Sequence, residues 1–190
     1  MQIIYKYIRH GYARIDKDGK LLITIPLSKK WNKEFEQILI SKWQQLMKRY
    51  NKRIHITPIQ EDSILLFGEQ VSKTQLMKKH KWTIKNITKE IFRDYATPLL
   101  DIYSKKLWTP YKKLSFRKTT SKRGSCTHDQ KLSFNLDLIH LSTKYIKYVI
   151  IHEACHLKVK NHSKKFRALV ESFCPGYKQI KKELRKFVIK

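Results

Sequence analysis

At 190 residues, with 41% apolar and 12% aromatic side chains, the chain is long and hydrophobic enough to bury a real core, which excludes global disorder. Lys and Arg number 42 against 15 Asp and Glu, a formal net charge of +27, so non-specific affinity for nucleic acid or another polyanion is a partner class the composition allows. No apolar run nears the roughly 18 to 20 residues of a membrane span, "MQIIYKYIRHGY" is too interrupted by charge to act as a secretion signal, and no membrane partner is expected.

The basic clusters, such as "KRYNKR" (48–53) and "KKELRK" (181–186), are scattered, and no motif of a nucleic-acid module accompanies them. A lysine-rich genome composition accounts for the same charge. Cys126, Cys155 and Cys174 are odd in number and lack framework spacing. They read as reduced thiols, and the expected compartment is the cytoplasm.

Residues 12 to 25 read as a β-hairpin turning at Asp18-Gly19 and closed by Pro26, with Ser28 as the cap of a following helix. From Lys29 to about Asn51, Trp31, Phe35, Ile38, Leu39, Trp43, Leu46, Met47 and Tyr50 repeat at helical spacing and read as core. "RIHITP" and "SILLFG" (63–68) are strand-like, the second ending at Gly68. A basic connection leads to a helical region over about Ile84 to Leu107, with Ile87, Ile91, Tyr95, Leu99 and Ile102 as its stripe. There Pro98 either kinks the helix or starts a new one capped by Thr97.

"KKLSFRK" (112–118) and "QKLSFNL" (130–136) alternate as strands, with Asp129 as a turn residue between them. The shared Lys-Leu-Ser-Phe string is too short to claim as a repeat. Ser142 or Thr143 caps a helix from Lys144 to about Lys158, "SKKFRALVESF" (163–173) forms another, and a basic helix follows Pro175-Gly176. One α+β domain is the simplest architecture: a small mixed sheet with an N-terminal β-hairpin, packed against helices.

The helix from Lys144 carries "IIHEACHLKVKNH" (150–162). His152 and His156 are four apart, so they share a helix face and can offer two imidazole nitrogens to one ion at about 2.0–2.1 Å. Glu153 lies about 100° round from His152, beside such an ion, where H-E-x-x-H chemistry uses a general base. His162 would sit about 240° from His156 on a continuous helix. It reaches the ion only if the helix ends near Lys158 to Lys160 and the chain doubles back, which the sequence permits: Val159 is a modest helix former, Asn161 tolerates the left-handed conformation and Ser163 can cap the next helix. Glu171, on that next helix, is the rival third ligand. Cys155 falls on the far side of His152 and reads as packing, while His128 and His140 read as ordinary polar positions.

The stretch "RGSCTHDQKLSFNLDLIHLSTKYIKYVIIHEACHLKVKNHSKKF" (123–166) resembles the YgjP-like metal-dependent hydrolases, relatives of the SprT-like zinc metallopeptidases. The family pattern runs from W-G-S-C through a strand ending in asparagine to H-E-x-x-H and N-H-S-x-x-F. Gly124, Ser125 and Cys126 match the first string, Asn135 ends the strand, and His152, Glu153, His156, Asn161, His162, Ser163 and Phe166 match the rest. The resemblance implies a zincin-like domain spanning 1–190, with a hairpin and helix region (1–80) and a catalytic core (81–190). It also implies His152, His156 and His162 as ligands of Zn2+, Glu153 as the catalytic base, and His162 rather than Glu171 as third ligand. One departure stands out: the family's tryptophan is Arg123 here, which touches the cleft rather than the metal site. The histidine spacing also suits metzincins, but these need a glycine where Val159 stands and a later methionine, and the last methionine is Met77.

The expected activity is therefore hydrolysis of a protein or peptide substrate, with the metal activating water and Glu153 moving its proton. Zinc affinity is expected to fall below about pH 6 as the ligands protonate. "GSCTH" and its partner strand are candidates for a cleft edge that pairs with an extended peptide. Two other classes are carried forward. One is a zinc hydrolase of a non-peptide substrate such as a nucleotide phosphoanhydride. The other is a nucleic-acid-binding protein with a structural zinc, which would prefer four ligands.

Overall fold

The computed structural model of the protein describes residues 2–6, 9–10, 12–15, 21–29, single positions between 34 and 48, and then 53–79, 83–120 and 122–189. They fall into two units, Met1–His55 and Ile56–Ile189. In the first, β1 (Gln2–Lys6), β2 (Tyr12–Ile15) and β3 (Leu21–Pro26) form a sheet with β3 in the middle, parallel to β1 and antiparallel to β2. The β2–β3 pair is the expected hairpin; its Asp18-Gly19 turn lies outside the described residues. Ser28 sits inside a 3-10 turn, Leu27–Lys29, and residues 30–33, where the helix it would cap is expected to begin, lie outside the described residues. The described positions between 34 and 48 are helical. Of the stripe expected to pack there, Ile38 is described and is 45% exposed, while Trp31, Phe35, Leu39, Trp43, Leu46, Met47 and Tyr50 lie outside the described residues. Strand β4 (Ile54–Ile56) follows where "RIHITP" predicts one.

The second unit opens with β5 (Ser63–Leu66) and β6 (Glu69–Ser72), an antiparallel hairpin joined by Phe67 and Gly68. Both turn residues have positive φ, 53° and 89°, the geometry that matches the twist of a two-residue hairpin and favours glycine at its second position. The sequence suggested a strand ending at Gly68 and then a basic connection. Instead Gly68 turns the chain into β6, and a short helix α1 (Lys73–Lys79) follows.

Helix α2 (Ile84–Leu107) has the predicted bounds and runs unbroken through Pro98. No new helix begins there, so Thr97 is not a cap; its hydroxyl is buried and finds no partner among the described residues. The buried face is Ile87, Phe92, Ala96, Leu100, Tyr103 and Leu107. It shares Ile87 with the expected stripe but beyond it lies one position round, so that Ile91, Tyr95 and Leu99 are half-buried and Ile102 is 49% exposed. Both rows share the four-residue spacing, so periodicity alone does not choose between them. Packing against the neighbouring helix and sheet does.

The next sheet contains β7 (Lys113–Arg117), β8 (Gly124–Cys126) and β9 (Lys131–Asn135) in the order β7-β9-β8. The two Lys-Leu-Ser-Phe strings lie side by side in parallel register, Leu114 by Leu132 and Phe116 by Phe134. β8 runs antiparallel to β9 at the edge. Phe116 stacks edge-on against Phe92 of α2 at 5.2 Å between ring centres, which joins sheet to helix. A 3-10 turn, Leu136–His140, leads to α3 (Thr143–Lys158), then α4 (Lys164–Phe173), α5 (Tyr177–Leu184) and a last strand β10 (Phe187–Ile189). Ser142 occupies the N-cap of α3 without a side-chain capping bond, whereas Ser163 caps α4 by accepting from the Phe166 N–H.

α3 is the axis of the unit. Ile146, Val149, Ile150, Ile151, Ala154, Cys155 and Leu157 are all buried, so the helix is apolar on most sides, as a central helix must be. It packs against α2, α4, α5 and β8. Each large aliphatic side chain buried this way contributes about 1.5–3 kcal/mol, which holds the H-E-x-x-H turns rigidly in the middle of the fold. The architecture is α+β, as expected.

Candidate active site

The last two turns of α3 present His152, Glu153 and His156 toward β8 and the segment after the helix. The chain leaves α3 at Val159 in an extended conformation (φ −129°, ψ 107°). Asn161 does not use the left-handed conformation that asparagine tolerates: the positive-φ residues described are Phe67, Trp108 and Gln130 besides glycines. A β-type exit reverses the chain just as well, and the Asn161 side chain then accepts from the Ser163 N–H at 3.4 Å to shape the turn into α4. The result carries His162 back over the helix it has left.

Three imidazoles meet there. His162 Nε2 lies 3.2 Å from His156 Nε2 and 3.2 Å from His152 Nε2, and the three residues form the group whose ligand atoms all fall within 4.8 Å of one another. Nitrogens bound tetrahedrally at zinc–nitrogen distances would stand about 3.3 Å apart, so the donor set fits a small divalent cation. The tautomer also fits: His156 Nδ1 lies 3.0 Å from the Val159 carbonyl, to which only an Nδ1–H can donate, leaving Nε2 bare. His152 Nδ1 is buried and has no partner among the described residues. Burial, joined by the charges of His156, His162 and Lys181, drives the His152 pKa down to about 3. Burial likewise lowers His156 against the pull of its Val159 hydrogen bond. Both rings are thus held neutral, the state a metal ligand requires.

Phe166 fixes the ring orientations. It stacks on His156 at 4.2 Å and meets His152 and His162 edge-on at 5.0 and 4.9 Å, and it is itself 2% exposed. Glu153 is buried beneath the edge strand. A Cβ built on Gly124 would stand 2.7 Å from Glu153 Cγ and 2.9 Å from its Oε1, so glycine is the residue that lets the carboxylate sit against β8. Burial pushes Glu153 up to about 7, with the Lys122 charge pulling part of the way back. A group poised near neutrality can both take and return a proton.

Asn135, at the end of β9, holds the loop that feeds the edge strand. Its Nδ2 donates to the Thr119 and Lys122 carbonyls at 2.7 and 3.2 Å, and its Oδ1 accepts from Thr119 and Asp137 N–H groups. Arg123, where the family pattern has tryptophan, donates through its guanidinium to the Leu184 and Phe187 carbonyls at 2.9 and 3.0 Å, tying β8 to the end of α5. Gly124 lines the cavity beside the triad, about 290 Å³ in volume, together with His152, Glu153 and His162. Ser125 lines a second, polar cavity with Arg117 and Ser133. The Cys126 thiol faces Lys160 at 3.7 Å, and burial raises its pKa.

A family model described as YgjP-like, metallopeptidase domain, matches residues 67–187. The chain belongs to the YgjP-like metallopeptidase family. Comparison with curated proteins produced no significant match. Among solved structures, this YgjP-like chain is similar to the metallopeptidase zymogen abylysin of Pyrococcus abyssi, at 22% identity over 47% of this chain and 90% of that one, with a TM-score of 0.43. It is similar too to the zymogen jannalysin of Methanocaldococcus jannaschii, at 18% identity over 47% and 92%, also with a TM-score of 0.43. Its place in that family makes the protein a metal-dependent hydrolase of the metallopeptidase kind, acting on peptides or proteins.

The other sequence-singled residues separate cleanly. Glu171 is spent elsewhere: its Oε1 accepts the Gly176 N–H at 2.8 Å, and it is not in the group of converging ligands. Cys155 is fully buried packing, its thiol pushed up to about 12 by burial. His128 is exposed. His140, read as an ordinary polar position, is buried instead, with Nδ1 2.6 Å from the Leu65 carbonyl. The sequence reading did not single out Tyr148, Lys122, Lys181 or Arg185, all of which line the triad cavity. A basic pair four apart on α5 was legible, but not which way it faces.

Proposed function

We propose that this metallopeptidase uses zinc, held by His152, His156 and His162, with Glu153 as its general acid–base and Gly124, Ser125 and Cys126 as the rim along which an extended substrate lies. The observation that carries the reading is the meeting of three imidazoles, with His162 Nε2 3.2 Å from both His152 Nε2 and His156 Nε2, beside a carboxylate buried against a glycine. Zinc in such a nest supplies a Lewis acid that polarises a carbonyl and acidifies water. The chain's own groups do the rest. Glu153 takes a proton from the attacking water on its carboxylate and returns it to the leaving amine. Phe166 keeps the three rings aligned, and β8, at the edge of its sheet, has the strand geometry to pair with a peptide.

Cys126, Cys155 and Cys174 are free thiols, which supports a reducing compartment, the cytoplasm. No helix among the described residues is long and apolar enough to cross a membrane. The charge of +27 supports loose, salt-sensitive attraction of polyanions as a second property. Metal analysis of the purified protein, paired with peptide hydrolysis by wild type and Glu153→Gln, tests the central reading. The variant is expected to keep one equivalent of zinc while losing about 10³-fold in kcat. Undiminished turnover in the variant, or no retained metal in either protein, would overturn it.

A further inference from the structure

Resting on the metallopeptidase reading above, we propose that the cavity between α3, β8 and α5 is a subsite for the side-chain carboxylate of an Asp or Glu next to the scissile peptide bond. Its walls carry four cationic residues, Lys122, Arg123, Lys181 and Arg185, while its one acidic residue is Glu153, buried at the floor beside His152. The surplus of lysine on this chain brings positive charge to every face. What distinguishes this cavity is that two segments distant in sequence, the entry to β8 and α5 with its cap, line the space beside Glu153 with cationic residues.

Contacts with the fold place these residues at the cavity. Lys181 and Arg185 are four apart and so share one face of α5 and its cap. The Arg123 guanidinium is fixed by two carbonyls, and Asn135 staples the Lys122 backbone. Among the described residues, none of Lys122, Lys181 and Arg185 is paired with a carboxylate. Tyr148, Val149 and Leu184 supply apolar walls, and charges facing a partly desolvated space attract a carboxylate more strongly than they would in open water. A volume of about 290 Å³ admits such a side chain with room for water.

The test uses zinc-loaded enzyme and a set of C-terminally amidated peptides, identical except for Glu, Gln, Leu or Lys on either side of one cleavable bond. On one side of that bond Glu should be preferred over Gln by at least about tenfold in kcat/KM, with Lys poorest. Lys181→Glu/Arg185→Glu should abolish or invert the preference at unchanged zinc content. Arg167→Glu/Lys178→Glu, the same change in net charge at a cavity away from the triad, should leave it intact. A Glu-to-Gln ratio near one, or one that survives the first double variant, overturns the subsite. So does a stronger preference for a peptide whose free C-terminal carboxylate abuts the bond, or for nucleoside triphosphates over every peptide. Binding of the same peptides to Glu153→Gln, followed by calorimetry, separates the two levels of the argument. Selective binding of the Glu peptide without cleavage by wild type retires the peptidase reading and keeps the subsite; cleavage without selectivity does the reverse.

Discussion

At position 124 the difference between glycine and alanine is one methyl group, and that methyl would stand 2.7 Å from Glu153 Cγ. Gly124→Ala must therefore push the carboxylate or the edge strand aside. It is expected to cost about 1–3 kcal/mol of stability, as overpacking does, and to lower kcat while zinc content stays the same; thermal melts, metal analysis and kinetics on one preparation check all three. Glu153 itself is a stability cost. An unfolded glutamate ionises near 4.5, whereas burial holds this one protonated up to about 7. Between those values the unfolded chain releases a proton that the folded chain keeps, so stability falls as pH rises, and the full penalty applies above 7. In metal-free protein Glu153→Gln should thus be more stable than wild type at pH 8, by at most about 3 kcal/mol, and no more stable at pH 4. An equal effect at both pH values would contradict the burial argument. Arg123 shows a substitution within a family pattern being absorbed: the arginine reaches across to carbonyls of the C-terminal segment.

The element that makes a site out of a helix is the reversal between α3 and α4. H-E-x-x-H on α3 brings two imidazoles to one face by periodicity, but whether a third joins them depends on where the helix stops. It stops at Val159 because the chain turns extended there, and the Ser163 cap starts α4 at once. That short turn places His162 over His152 and His156, and sets Phe166 against all three rings. His162→Ala is expected to lose the metal, and Glu171→Ala to retain it, since Glu171 serves the start of α5 by accepting from Gly176. Metal retention after gel filtration decides the matter, and the opposite pattern would move the third ligand to Glu171. α2 teaches a related lesson: its bounds followed from spacing, yet the face it buries did not, because Ile91, Tyr95 and Leu99 compete with Phe92, Ala96 and Leu100 at equal periodicity.

For the whole molecule, a cation bound by the folded chain and not by the unfolded one stabilises the fold by mass action, about 4 kcal/mol at a thousandfold excess over Kd. Stripping the metal with a chelator should lower the Tm by several degrees, and restoring zinc should return it. Glu153→Gln should show the same shift and His162→Ala none; a wild-type Tm indifferent to proven metal removal would detach the ion from this triad. The pairing of His152 with His156 on one helix face, the glutamate between them, the helix that bears them and the α+β class were all determined by residue type and spacing, since local periodicity and a short motif carry that information without tertiary help. The tertiary structure added that His162, favoured over Glu171 by the family resemblance, converges on that pair, and it alone decided that Gly124 makes room for Glu153 and that Lys122, Lys181 and Arg185 surround the same cavity. These depend on the angle at which a chain leaves a helix and on contacts between residues distant in sequence. Such geometry is set by how the elements pack, and no local pattern encodes it.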